Sequence, residues 1–482
     1  MFKIYDIRPL TFIFPLICLI YSTGCKKLVE VDPPVTNPDG AVIYSNNASA
    51  ASVMTGLYAR MGGSGSIAGQ EGLSELAGLT ADELQAYPSY DQVIQHAYTN
   101  SFSTVYAPYL WTAFYNYIYA GNDVIGGLSQ STGVTAPVKQ QLMGEAKFIR
   151  ALFYFYLVNL YGDVPLVTTT DYQVNAKAAR TAAAQIYTQI TADLNDARNL
   201  LSNNFLNADV QTISTSRVRP TSWAAAALLA RVYLYEGIWD SAYSQSTAVI
   251  NNSSMFTLDT LNAVFLANST EAIWQVQPTT PGYNTLDANI FILTAGPNPY
   301  TNFVSLNDSL YKAFEPGDNR LNDWVGTNIA NGITYYYPNK YKIGNYNVSQ
   351  PITEYLMILR LGEQYLIRAE AEANGAGAGI PGAITDLNTI RTRAGLPGYS
   401  GASDQASLLA AILHERQVEL FTELGHRWLD LKRTNNINNV MGSPGNICAS
   451  KGGVWSPDWS LYPIPLTTIQ ADANVPQNPG YQ

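Results

Sequence analysis

The chain is 482 residues long, carries 27 Lys and Arg against 37 Asp and Glu, and has a formal net charge of −10. An acidic chain of this kind lacks the basic surface that neutralises phosphates, which excludes nucleic acid as a partner. With 47% apolar residues it can fill one large core or two fused subdomains without a disulfide or metal staple.

Lys3 and Arg8 precede an apolar run from Leu10 to Tyr21, followed by Ser22, Thr23, Gly24 and Cys25. This is the pattern of an export signal. The run contains Pro15 and is too short for the ~20 residues of a spanning helix. Of the three cysteines, Cys18 would leave with a signal, and the lone remaining Cys448 beside Cys25 argues against a disulfide framework or a cysteine metal cluster. Residues 26–40 are rich in Pro, Asp and Asn, with little to bury, and read as a tether.

Beyond the tether, apolar residues recur at helical spacing over 48–61, 102–128, 138–161, 181–202, 221–236, 239–251, 361–374, 381–394 and 405–433. The predicted fold is therefore mainly α. The stretches 62–100, 252–352 and 434–482 are rich in Asn, Gly, Pro and Tyr, and are expected to be long irregular loops with a few short strands, one of them near 272–277. Residues 228–242 match the tetratricopeptide pattern of two helices about a glycine turn, with Ala230 and Ala242 allowing close approach and Tyr233 and Trp239 filling the groove. Residues 370–374, the turn 375–377 and 383–393 read as a second such pair.

Catalytic signatures are missing. His96, His414 and His426 have no metal-ligand spacing, and no nucleophile elbow or Walker loop occurs. The spacing of Gly377, Gly379 and Gly382 fits a dinucleotide fingerprint by letter, but it follows a helix and contains Pro381, so it reads as a helix–helix turn. No catalytic residue, metal ligand or cofactor is assigned. Glu415, Glu419 and Glu423 fall at i, i+4 and i+8 on the predicted 405–433 helix, where like charges repel unless cations intervene. Arg391, Arg393, Arg416 and Arg427 are the candidate cations, locking this helix onto 381–394 through Arg–carboxylate forks.

Several segments together carry a family resemblance. They are Glu145 to Phe155 ending in the Tyr161-Gly162-Asp163-Val164-Pro165-Leu166 corner, the repeat at 224–250, the 360–373 and 387–395 blocks, Glu415 to Leu420, Arg427 to Arg433, and the close from Tyr462 to Tyr481. In order and spacing this chain resembles the SusD/RagB family of outer-membrane nutrient-binding lipoproteins. The Gly24-Cys25 junction resembles a bacterial lipobox, although Ser22 stands where an aliphatic residue is usual. The resemblance implies a lipoprotein signal peptide (1–24), a tether anchored through lipid on Cys25 (25–45), an N-terminal part with ligand-binding loops (46–300) and a C-terminal part (301–482) forming one unit with it. It further implies a glycan ligand, attachment to the outer membrane facing the exterior, and delivery to a SusC-like TonB-dependent transporter. A peptide ligand on the same scaffold, or less favourably a glycan hydrolase, are the alternatives.

Sugars are bound by laying their C–H faces on aromatic rings while amides and carboxylates take the hydroxyls. Two stretches have that composition: 82–91, with Asp82, Tyr87 and Tyr90, and a second set joining Tyr283 and Asn284 to 298–303, with Tyr300. Asp82, Tyr87, Tyr90, Tyr283 and Tyr300 are the predicted ligand contacts.

Overall fold

The computed structural model describes residues 40–481; the export signal, Cys25 and most of the tether lie outside the described residues. The chain divides into residues 1–43, of which a single helical turn at Gly40–Ile43 is described, and a unit spanning Tyr44–Gln482.

Helices form where apolar spacing meets a stop or start signal. Helix α1 (Asn47–Met61) begins at Asn46, whose side chain accepts the Ser49 N–H at 3.0 Å. It is followed by α2 (Leu73–Thr80), β1 (Leu84–Ala86), α3 (Gln92–Tyr98) and α4 (Leu110–Gln130). Helix α5 (Ala136–Tyr161) has Pro137 in its first turn, where no N–H is needed, and ends at Gly162 with φ 73°. Then come α6 (Ala183–Leu200), α7 (Ser222–Glu236), α8 (Trp239–Ile250), β2 (Ala272–Val276), β3 (Val304–Leu306), β4 (Val325–Ala330), β5 (Ile333–Pro338) and β6 (Leu356–Arg360). Helices α9 (Leu361–Ala373), α10 (Gly379–Arg393), α11 (Gln405–Glu419) and α12 (His426–Arg433) complete the scaffold.

From α4 to α10 each labelled helix packs on the next, so that helical hairpins stack side by side. The α7–α8 turn explains the repeat pattern. Gly237 adopts the left-handed conformation, and the Ile238 N–H returns to the Tyr233 carbonyl at 2.9 Å. Ala230 and Ala242 are fully buried with Ile367, Ala371 and Ala376, and Tyr233 and Trp239 pack against this cluster. At the α9–α10 turn, Gly377 has φ 52° and a Cβ there would lie 2.2 Å from the Tyr243 ring, so only glycine fits. The fold class is as predicted: mainly α, built from tetratricopeptide-like pairs. Its strands form two-stranded ladders, with β2 antiparallel to β6, β1 to β3, and β4 to β5.

Two expectations need correction. The 405–433 segment is not one helix. It breaks between α11 and α12, where Thr422, Leu424 and Gly425 all have positive φ. The stretch 62–100 is not wholly irregular, for it contains α2 and α3. Every residue of α2 is buried, so it has no polar face and no amphipathic period to betray it.

The break redistributes the acidic row. Glu419, fully buried at the end of α11, receives Arg360 at 2.6 Å, Arg320 at 2.9 Å, and Arg393 of α10. Arg391 reaches Glu415 at 3.3 Å, so α10 and α11 are joined by ion pairs, but these are single contacts and not forks: the two-pronged grip of Arg391 falls on Glu315. Glu423 lies beyond the helix and instead takes Lys340 at 2.5 Å and Arg360 at 2.7 Å. Arg416 and Arg427, assigned to the same row, serve other partners: Arg416 pairs with Asp430 and Arg427 with Asp82. Burial pushes the Glu419 carboxyl up, but the surrounding Arg393, Arg360 and Arg320 guanidiniums hold it well below the usual carboxylate range.

Candidate functional site

Strand pairing brings the two predicted loop segments together. β1 and β3 run antiparallel in the register Leu84↔Leu306, Gln85↔Ser305, Ala86↔Val304. Beyond the ladder the Tyr87 N–H donates to the Phe303 carbonyl at 2.8 Å, and the Tyr90 N–H approaches the Pro299 carbonyl at 3.4 Å. Tyr90 and Tyr300, far apart in sequence, therefore stand side by side with ring centroids 5.1 Å apart. They are 71% and 73% exposed.

The base of the first loop is rigid. Lys451 donates to the Leu79 and Ala81 carbonyls at 2.7 and 2.9 Å, closing the end of α2. The next residue, Asp82, is only 2% exposed and is gripped by the Arg427 guanidinium of α12. Burial raises its carboxyl, but the Arg427 charge and hydrogen bonds bring it below its ordinary value. The expectation that Asp82 touches ligand is thereby corrected: a buried carboxylate already paired with a guanidinium is framework. Glu83 accepts the Thr422 N–H at 3.3 Å, and burial followed by the Asp82 charge pushes its carboxyl up to about 8.

Tyr87 is half-buried, with its hydroxyl 3.2 Å from that of Ser305 and its ring edge-on to Tyr335 at 5.6 Å. Tyr300 sits on a turn held by Asn298, whose side-chain oxygen accepts the Tyr300 and Thr301 N–H groups, both at 3.0 Å. Asn284 is buried and accepts the Thr353 N–H at 2.7 Å, so it fastens its loop instead of facing solvent.

Beside Tyr300 opens a cavity of about 370 Å³, lined by Gln70, Asn289, Ile290, Ile292, Thr294, Thr301, Asn302, Phe303, Gly344, Asn345 and Tyr346 as well. Tyr283 reaches it indirectly, tilted against Tyr346 with centroids 5.3 Å apart. Gly282 has φ 84°, and a Cβ there would lie 2.4 Å from the Tyr346 ring, so this glycine lets the ring stand where it does. Asn289 donates to the Gly344 carbonyl at 3.1 Å, joining the helix Leu286–Phe291 to the opposite wall.

Carboxylates gather behind Gln70. Asp287 accepts the Gly69 N–H at 2.7 Å, Gln70 donates to Asp91 at 2.7 Å, and Glu75 accepts the Glu71 N–H at 2.8 Å. Burial, then the Asp91 charge, pushes Glu71 up to about 7; burial does the same to Asp287.

Sequence reasoning missed Tyr346, Asn345, Asn289 and Gln70. The run Gly344-Asn345-Tyr346-Asn347 has the same ring-and-amide composition as 298–303 and was the available signal. A larger cavity of about 590 Å³ lies among α7, α8, α9, α11 and α12, beside Trp239, Leu409 and Leu413. Two of its charged groups already satisfy one another, with Arg433 on Glu370 at 2.5 and 2.7 Å. The smaller cavity is the one that lies beside exposed rings and is lined by amides and hydroxyls, the groups that suit a sugar.

A family model described as starch-binding, associating with the outer membrane, matches residues 46–234, and the SusD family model matches 317–481. The SusD-like protein P2 of Formosa agariphila is 28% identical over 389 residues, covering 70% of this chain and 73% of its own length. A SusD superfamily protein from Bacteroides vulgatus has a similar structure, with a TM-score of 0.77 at 20% identity over 91% of this chain and 100% of its own. A laminarin-binding SusD-like protein gives 0.74 at 23% identity, over 91% and 100%.

Proposed function

The chain belongs to the SusD/RagB family, and from that premise we propose that it is a glycan-binding lipoprotein of the cell surface and not an enzyme. The observation that carries this reading is the convergence of exposed Tyr90 and Tyr300 with the amide-lined cavity that Tyr346 closes. Rings offer stacking faces for sugar C–H groups, and amides offer both donors and acceptors to hydroxyls. The laminarin-binding relative supports the ligand class.

In the same proposal lipid on Cys25 anchors the chain to the outer membrane, facing outward, and a SusC-like TonB-dependent transporter receives the captured glycan. Among the described residues no helix is long and apolar enough to cross a membrane. A binder without transport machinery must pass its ligand on.

Affinity electrophoresis against a panel of polysaccharides tests the binding, and assay for new reducing ends tests for turnover. Retardation without new reducing ends is expected. Release of reducing ends would make the protein a hydrolase, and retention of peptides alone would move the function to the larger cavity. Cys25→Ala should release the protein from membranes in cells lacking the transporter, and mild detergent should extract the wild type together with that transporter.

A further inference from the structure

Resting on the glycan-binding reading, we propose that the ligand is an uncharged stretch of oligosaccharide and that the cavity discriminates against carboxylated or sulfated chains. Every residue lining the cavity is uncharged. Its polar side chains are amides and hydroxyls, among them Gln70, Asn289, Asn302 and Asn345. Recognition of a carboxylate or sulfate in a partly dry site calls for a guanidinium or ammonium, because an anion stripped of water without a counter-charge is costly.

The layer behind the cavity holds acids and no cation for an anion to meet. Gln70 rests on Asp91, which lies within hydrogen-bonding reach of Glu71, and Asp287 and Glu75 complete the group. Among the described residues none of these four carboxyls forms an ion pair with Lys, Arg or His, and burial pushes Glu75, Glu71 and Asp287 toward their protonated forms, so the layer offers an anion no counter-charge. The same layer leaves hydroxyl-bearing neutral sugars unaffected, since amides satisfy hydroxyls in either direction.

The test uses the full chain in affinity electrophoresis at physiological salt. Starch, laminarin, xyloglucan and galactomannan are the neutral polymers; polygalacturonate and alginate are the anionic ones. Whichever neutral polymer retards the protein is then carboxymethylated. The expected result is retardation by a neutral polymer, at least tenfold weaker binding after carboxymethylation, and a severalfold narrowing of that gap in Asn345→Lys. Equal or stronger binding of an anionic polymer would overturn the class while leaving glycan binding intact. An unchanged gap in Asn345→Lys would overturn the assignment of discrimination to this cavity. Binding of no polymer would remove the glycan reading and this inference with it.

Discussion

The Asp82 carboxylate accepts two hydrogen bonds from the Arg427 guanidinium, at 2.7 and 2.8 Å, tying the first binding loop to helix α12. Both side chains are buried, so removing one leaves an uncompensated charge in the interior. Asp82→Ala is expected to cost about 3–5 kcal/mol of stability, measured by urea unfolding. Unchanged stability with lost sugar affinity would return Asp82 to the ligand site.

Arg360 is the cation shared by Glu271, Glu419 and Glu423, at 2.9, 2.6 and 2.7 Å. Arg360→Met leaves these carboxylates short of a partner and is expected to destabilise by about 3–5 kcal/mol or more. Tyr300→Ala, on an exposed turn, should stay within about 0.5 kcal/mol of wild type in the same assay. A near-neutral Arg360→Met would show that the network contributes little.

Stability should depend on pH in two opposite senses. Glu419 and Glu423 have lowered folded pKa values, so the stability they contribute is present above the unfolded value and is lost as pH falls through the folded one. Glu83, raised to about 8, and Glu71 and Asp287, raised to about 7, bind protons more tightly folded than unfolded. Their contribution is full below the unfolded carboxylate range and is lost as pH rises towards 8. Melting temperature is expected to decline between about pH 5 and 8, and Glu83→Gln should flatten that decline. An identical slope in the variant would remove Glu83 as a source.

The scaffold was legible because its helices are amphipathic and its turns carry glycine, as at Gly237 and Gly377. Helix α2 was hidden by burial on every side, and the break at 420–425 by apolar spacing that continues across it. Composition marked both loops of the candidate site. It did not reveal that Asp82 turns inward, because the decisive partner, Arg427, is remote in sequence. Nor did it show that Tyr346 and Tyr300 line one cavity, which depends on how Gly282 and Asn289 hold its walls.

The central claim is that glycan binds where Tyr300 and Tyr346 line one cavity, and calorimetric titration tests it most directly. The polysaccharide that best retards the wild type is titrated into Tyr300→Ala, Tyr346→Ala and Tyr233→Ala. Each cavity variant should lose roughly 1–3 kcal/mol of binding, about 5- to 150-fold in affinity, at nearly unchanged melting temperature. Tyr233→Ala, which packs on the α7–α9 cluster, should lower the melting temperature and leave affinity intact. Wild-type affinity in both cavity variants would contradict the account.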